Sequence, residues 1–321
     1  MEKRMLEVKH LCASFFTRKG EIRAVNDVSL EVPAGKLVGI VGESGCGKST
    51  LVNTILNLFE PTEGEVWFEG KPALGAGRKG GNSFKKNVQI VFQDPYWSLN
   101  PRWLIKDIVA EPIEVYERLS ETEKLKRVKE LLAMVGIPED ACYKYPHEFS
   151  GGQRQRIAIA RSLASQPKLV VLDEPTSSID VFSQEQILAL IKDLKKRFGL
   201  TNILISHDLG VVHELANKIA VMYLGKIVEF GSADEIFRHP RHPYTKALFD
   251  AITSLTTQGM EGLKTLDGQI PSPINPPPGC AFHERCAYAC EKCRSEMPQQ
   301  RDVGDGHMVS CLRAEELKEL Q

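Results

Sequence analysis

Eight consecutive residues, Gly42-Glu43-Ser44-Gly45-Cys46-Gly47-Lys48-Ser49, constrain this chain more than any other feature. They fit G-x-x-x-x-G-K-[ST]; the apolar run Leu37 to Val41 precedes them, and Thr50-Leu51-Val52 opens a helical pattern behind them. A strand feeding a helix through such a loop predicts an α/β core with an anion-binding turn. Its glycines let backbone N–H groups curl around phosphates, and the helix N-terminus adds partial positive charge. Lys48 is placed to neutralise β- and γ-phosphates, and Ser49 to offer a hydroxyl oxygen to Mg²⁺, a hard ion that takes oxygen ligands.

Further short apolar runs at Val88 to Phe92, Leu169 to Leu172 and Asn202 to Ile205 suit buried strands of a parallel sheet. Helical stripes recur between them, one through Leu125, Val128, Leu131, Leu132 and Val135, another through Ile187, Leu188, Leu190, Ile191 and Leu194. The Gly-rich, basic stretch from Gly75 to Gly81 reads as a surface loop between two β elements. No repeat of 20 to 50 residues is present. From about Arg238 onward Pro and Cys accumulate and regular patterns thin out, which predicts a small C-terminal appendage held by something other than a large core.

Charge narrows the chemistry. With 41 Lys plus Arg against 42 Asp plus Glu the net charge is −1, so a nucleic-acid binder working by broad phosphate neutralisation is not expected. The charged opening MEKRMLEVKH has no apolar signal region and no run of about 18 apolar residues exists, so a cytoplasmic location is expected. Five of the eight cysteines (Cys280, Cys286, Cys290, Cys293 and Cys311) cluster late in the chain, which in a reducing compartment points to metal before disulfides.

Two further segments carry chemistry. Leu169 to Leu172 ends in Asp173-Glu174, a strand tip able to deliver two carboxylates: Asp173 to hold the water shell of Mg²⁺ and Glu174 to polarise an attacking water, or else a cap for the next helix. Phe149-Ser150-Gly151-Gly152-Gln153 precedes an Ala/Ile-rich helix, with Ser150 as an N-cap candidate and a second anion-binding turn.

On these residues the chain resembles the ATP-binding subunits of ABC transporters, whose signature Leu-Ser-Gly-Gly-Gln is matched from Ser150 to Gln153 with Phe149 at the Leu position. The resemblance implies further roles. Gln93 matches the glutamine that touches Mg²⁺ and senses the membrane subunit; Asp180, in Ser177-Ser178-Ile179-Asp180, matches the D-loop aspartate; His207 matches the switch histidine at the γ-phosphate; Phe15, with Phe16 beside it, matches the aromatic that stacks on adenine. The implied fold is an ABC ATPase, an α/β protein with a P-loop parallel-sheet core, an N-terminal antiparallel β part, a helical subdomain and a small irregular metal-binding extension. The ATPase domain is expected over residues 1–240, with its helical subdomain at about 95–164, and the extension over 241–321.

Phe92-Gln93-Asp94-Pro95-Tyr96-Trp97-Ser98-Leu99-Asn100-Pro101-Arg102, Tyr145-Pro146-His147-Glu148-Phe149, His242-Pro243-Tyr244-Thr245 and Pro277-Pro278-Gly279-Cys280 narrow the resemblance to dipeptide/oligopeptide importers, with nickel importers sharing much of the pattern. The resemblance then implies import driven by dimer closure on ATP, a second related or identical ATPase chain, two transmembrane permease subunits, an extracytoplasmic peptide-binding protein, and a peripheral place on the cytoplasmic face of the membrane. It also implies that Cys280, Cys286, Cys293 and Cys311 form a four-thiolate set for a 4Fe-4S cluster; zinc is one alternative, since Cys290-x-x-Cys293 has a zinc spacing, and free or disulfide-bonded cysteines are another. A soluble ABC ATPase without a permease and a cluster-based redox sensor are the rival classes. The first usually has two cassettes or a long coiled coil in one chain, and neither pattern is present.

Overall fold

The computed structural model describes residues 3–75, 81–177, 179–257 and 268–317, with residues 252–257 described by backbone alone. Two long strands open the chain, β1 (Arg4–Thr17) and β2 (Gly20–Pro33), followed by β3 (Leu37–Val41), α1 (Lys48–Ile55), β4 (Glu63–Phe68) and β5 (Lys71–Gly75). Next come α2 (Asn82–Asn87), β6 (Val88–Val91) and the helices α3 (Pro95–Ser98), α4 (Ile105–Tyr116), α5 (Glu121–Met134) and α6 (Gly151–Leu163). The alternation resumes with β7 (Leu169–Asp173), α7 (Val181–Phe198), β8 (Thr201–Ile205), α8 (Leu209–Leu215), β9 (Lys218–Tyr223) and β10 (Lys226–Ser232). Then come α9 (Ala233–Arg238), α10 (Pro243–Thr257) and two two-residue strands, β11 (Arg301–Asp302) and β12 (Met308–Val309), with short 3-10 turns between the longer elements.

The chain divides into two compact units, one of Met1–Met5, Pro33–Lys36 and Gly80–Ile205, the other of Leu6–Val32, Leu37–Lys79 and Ser206–Gln321. In the first unit β6, β7 and β8 form a parallel ladder, Val88 opposite Leu169 and Leu169 opposite Thr201. Every residue of β7 and β8 is buried, as expected of strands covered on both faces. Its helices α3 to α6 pack mainly on one another, and the amphipathic α5 starts at a capping box in which Ser120 and Glu123 each satisfy the other's backbone N–H.

In the second unit β3 pairs in parallel with β9, β9 turns back antiparallel to β10, and β12 then pairs antiparallel with both β10 and β11. A separate antiparallel sheet runs β2-β1-β4-β5. The predicted antiparallel part is therefore present, and the expected strands fall within a residue or two of the observed ones.

Two expectations need correction. Gly75 ends β5 and Gly81 caps α2, so the stretch beginning at Gly75 leads into a short helix anchored by buried Phe84 instead of linking two β elements; residues 76–80 lie outside the described residues. A six-residue helix is too short for its period to show. The C-terminal stretch is also tied into a core sheet: β12 extends β10, Val309 is fully buried, and His307 reaches the buried Glu229 on β10 at 2.7 Å. A two-residue strand has no alternation to read.

Candidate nucleotide site and cysteine cavity

The phosphate loop is shaped by close backbone packing. Gly47 has φ of 107°, and a Cβ there would lie 2.1 Å from the Ala24 carbonyl oxygen; at Gly42, φ 150°, it would lie 2.2 Å from that of Met222. No side chain fits either place. Lys48 begins α1 but is only 7% exposed: its ammonium curls over the loop and donates to the carbonyl oxygens of Gly42 at 2.8 Å and Glu43 at 3.0 Å. A cation resting on two loop carbonyls is a counter-charge that an incoming phosphate chain could take up. Ser44, Gly45 and Ser49 are exposed and Thr50 half-buried, whereas Cys46 is buried and burial pushes its thiol above the usual range. The Cys46 thiol thus packs beneath the loop, with the Lys48 ammonium 3.8 Å away.

Also in this unit, Phe15 is about a third exposed and meets Phe59 edge-on at 5.4 Å between ring centroids, while Phe16 is 80% exposed. Phe59 as a brace for Phe15 was not legible, because 44 residues of sequence separate them. His207 is exposed between buried Ser206 and exposed Asp208, whose carboxylate accepts the N–H groups of Gly210 and Val211 at the start of α8.

In the other unit, the tip of β7 carries the two carboxylates. Asp173 is its last residue and is buried. Glu174 sits at φ 45°, a left-handed conformation that costs a non-glycine residue about 1–3 kcal/mol and is concentrated at functional sites. It is held there because its N–H donates to the Ile205 carbonyl at 2.9 Å, while Gln93 Nε2 donates to Glu174 Oε2 at 2.9 Å. The two residues, 81 apart in sequence, are thus brought together. The alternative role for the pair, a cap for the next helix, is taken by Asp180: it accepts the Ser183 N–H at 2.9 Å, a bond that holds its carboxyl below the usual range.

Ser150 caps α6 as expected, accepting from the Gln153 N–H at 3.3 Å while Gln153 Oε1 accepts the Ser150 N–H at 3.0 Å. Gly151 and Gly152 form the first turn of α6. Ser178, noted beside Asp180, lies outside the described residues.

Cys280, Cys286, Cys293 and Cys311, drawn from a span of about thirty residues, line one cavity together with Phe282 and Leu312. Burial pushes the Cys286 and Cys311 thiols up to about 11, helped by the neighbouring thiols, and raises Cys280 as well. Cys290 does not line the cavity; its sulfur lies 3.5 Å from that of Cys293.

The donor chemistry fits a four-thiolate centre. The geometry does not support more than that: among the described residues no three His, Cys, Asp or Glu side chains converge as a single ion, zinc included, requires. Nor is a 4Fe-4S site formed, since the cavity of about 20 Å³ has room for about one water and the thiols would have to part.

Comparison with known proteins agrees with this anatomy. Residues 25–177 match the family described as ABC transporter, and residues 228–293 the family described as oligopeptide/dipeptide transporter, C-terminal region. The di/tripeptide transport ATP-binding protein of Pseudomonas aeruginosa is 44% identical over 94% of this chain and 93% of its own length. The oligopeptide transport ATP-binding protein of Haemophilus influenzae is 43% identical over 96% and 97%, and that of Bacillus subtilis 43% over 93% and 92%.

Among solved structures, a dimeric ATP-binding cassette in a post-hydrolysis state bound to ADP and Pi superposes with TM-score 0.64 at 30% identity, covering 71% of this chain and 99% of that one. A Clostridium perfringens subunit of an ABC transporter complex, cbiO1, gives TM-score 0.65 at 29% identity, covering 81% and 98%. The chain belongs to the family of ABC transporter ATP-binding proteins, in the branch that carries the oligopeptide/dipeptide C-terminal region.

Proposed function

We propose that this protein is the ATP-hydrolysing subunit of a dipeptide/oligopeptide importer, working on the cytoplasmic face of the membrane. The observation that carries the reading is that the ATPase family and the peptide-transporter C-terminal region match separate stretches of one chain, whose curated relatives align along nearly their whole length. No helix among the described residues is long and apolar enough to cross a membrane, so the path for the peptide belongs to partner subunits. Tyr96, Trp97 and Trp103, exposed by 59%, 90% and 42% within ten residues of Gln93, support docking of a permease there.

In this reading Phe15 stacks on adenine, and the backbone of Gly42, Glu43, Ser44, Gly45, Cys46, Gly47, Lys48, Ser49 and Thr50 cradles the phosphates. The Lys48 ammonium exchanges its loop carbonyls for the β- and γ-phosphates. Mg²⁺ would be held by Ser49, with Gln93 and Asp173 contributing, and supplies charge neutralisation on the phosphates. Glu174, kept in place by Gln93, accepts hydrogen bonding from the attacking water, and His207 contacts the γ-phosphate. Ser150, Gly151, Gly152 and Gln153 serve the nucleotide of a second ATPase chain, with Asp180 at the same interface; ATP then closes the dimer and hydrolysis releases it.

Four thiols on one cavity support a 4Fe-4S cluster as the group that Cys280, Cys286, Cys293 and Cys311 would hold, the cavity opening to admit it. Anaerobically purified chain is then brown, with about four irons each; colourless protein without iron rejects that part alone.

The test of the whole is reconstitution. Proteoliposomes carrying the permease pair and this chain should take up labelled di- to oligopeptides from their binding protein only with ATP. ATP-dependent uptake of Ni²⁺ but not of peptides would move the assignment to a metal importer, and ATP turnover that no permease alters would end the transport reading.

A further inference from the structure

The cysteine segment grips the phosphate loop. Arg285, one residue before Cys286, forms a two-pronged pair with Glu43 in the loop, Nη1 to Oε2 at 2.7 Å and Nη2 to Oε1 at 3.0 Å. The Arg285 side chain is 3% exposed and that of Glu43 21%, so solvent does little to weaken the pair. A second contact holds the same loop residue by its backbone: the Glu43 N–H donates to the hydroxyl of Tyr244, a fully buried side chain at the start of α10, at 2.9 Å.

Three rings support both contacts. Tyr223 at the end of β9, Tyr244 and Phe282 lie with centroids 4.7 to 5.4 Å apart, and the guanidinium of Arg285 stands 5.9 Å from Tyr223 and from Phe282. Glu43 is therefore gripped at its carboxylate and its amide by residues more than 200 positions downstream. Its carbonyl, meanwhile, accepts from Lys48. The loop's N-terminal half is fixed from outside, and its Glu43 carbonyl also accepts the Cys46 N–H at 3.3 Å.

We propose that Arg285 and Tyr244 are positioning residues for nucleotide binding: the C-terminal extension is a clamp that holds the phosphate loop in its receptive shape through Glu43. Without the clamp, part of the binding energy of ATP would go into ordering the loop, so affinity falls while the chemistry at Glu174 is untouched. The inference rests on the nucleotide-binding reading above, and the experiment separates the two.

The full chain is titrated with ATP by calorimetry in a Glu174→Gln background, where hydrolysis is blocked, and KM and kcat are measured in the otherwise native chain. Arg285→Ala should weaken ATP binding about tenfold, the loss expected when a fixed, charge-assisted pair is removed. It should raise KM by a similar factor while kcat stays within about twofold. Arg285→Lys, which keeps the charge but loses the fork, should recover part of the affinity, and Lys292→Ala, an exposed change in the same segment, should leave it unaltered. If Arg285→Ala does not fold, Glu43→Gln removes the pair from the loop side and should show the same weakening. Arg285→Ala or Glu43→Gln protein with an unchanged melting temperature and ATP affinity within twofold of the parent overturns the clamp. A parent that binds no ATP overturns the nucleotide reading instead.

Discussion

The phosphate loop and the cysteine segment are both short, irregular stretches, yet they are assembled in opposite ways. The loop is contiguous: eight neighbouring residues, two glycines seated against backbone carbonyls and one lysine folded back onto its own loop. The cysteine segment is gathered from Cys280 to Cys311 and secured by distant partners, His307 on Glu229, Arg285 on Glu43 and β12 on β10. A contiguous site can be read from local spacing because the residue types it needs stand next to one another, even though Arg285 and Tyr244 hold its shape from far downstream. A gathered site cannot, because its geometry depends on strands and side chains far away in sequence.

The sharpest way to break that contrast is Lys48→Ala. It removes the cation the loop stores for phosphate and should reduce ATP affinity on the order of 100-fold or more, as expected for a charge-assisted contact to a polyanion, while hydrogen exchange over residues 280–311 stays as in the parent. Calorimetry and exchange on the same preparation check both halves. Loss of protection in the cysteine segment would show that Lys48 shapes that segment through the Glu43–Arg285 pair.

The converse change attacks the segment's anchor. Glu229 is fully buried and accepts from the N–H groups of Arg241 and His242 and from His307. Glu229→Ala leaves those donors unsatisfied and should cost about 3 kcal/mol, whereas Glu229→Gln, which keeps an acceptor, should cost about half as much. Denaturant melts with tryptophan fluorescence and exchange at β12 would read the difference; equal losses for the two variants would show that packing, not hydrogen bonding, anchors the segment.

The smallest expected effect concerns Cys290, which stands outside the cavity that Cys293 lines. Cys290→Ala should leave the iron content of anaerobically prepared protein unchanged, and Cys293→Ala should abolish it. Iron lost from both would put Cys290 among the ligands.

Much of the nucleotide side was legible in the residues themselves. The strand before the loop, the Ser150 cap and the strand-tip carboxylates follow from short motifs whose chemistry and conformation coincide. What sequence could not supply was the pairing of Gln93 with Glu174, the left-handed backbone at Glu174 and the Phe59 brace on Phe15, all of which depend on how separate elements meet. The β11 and β12 pair was invisible for a related reason: two residues have no period, and the pairing is set by β10. The four-thiolate expectation found its residues around one cavity without the convergence a single ion needs, so cysteine spacing identified neighbours and not a finished site.

In the proposed function the carboxylate of Glu174, strained in its backbone and held by Gln93, serves the water that attacks ATP. The direct measurement is single-turnover hydrolysis of bound ATP by Glu174→Gln protein. This variant should bind ATP as tightly as the parent, hydrolyse it at least about 100-fold more slowly, as loss of general-base assistance requires, and accumulate as a closed dimer. Hydrolysis by Glu174→Gln at the parent's rate, with ATP bound equally well, would contradict it.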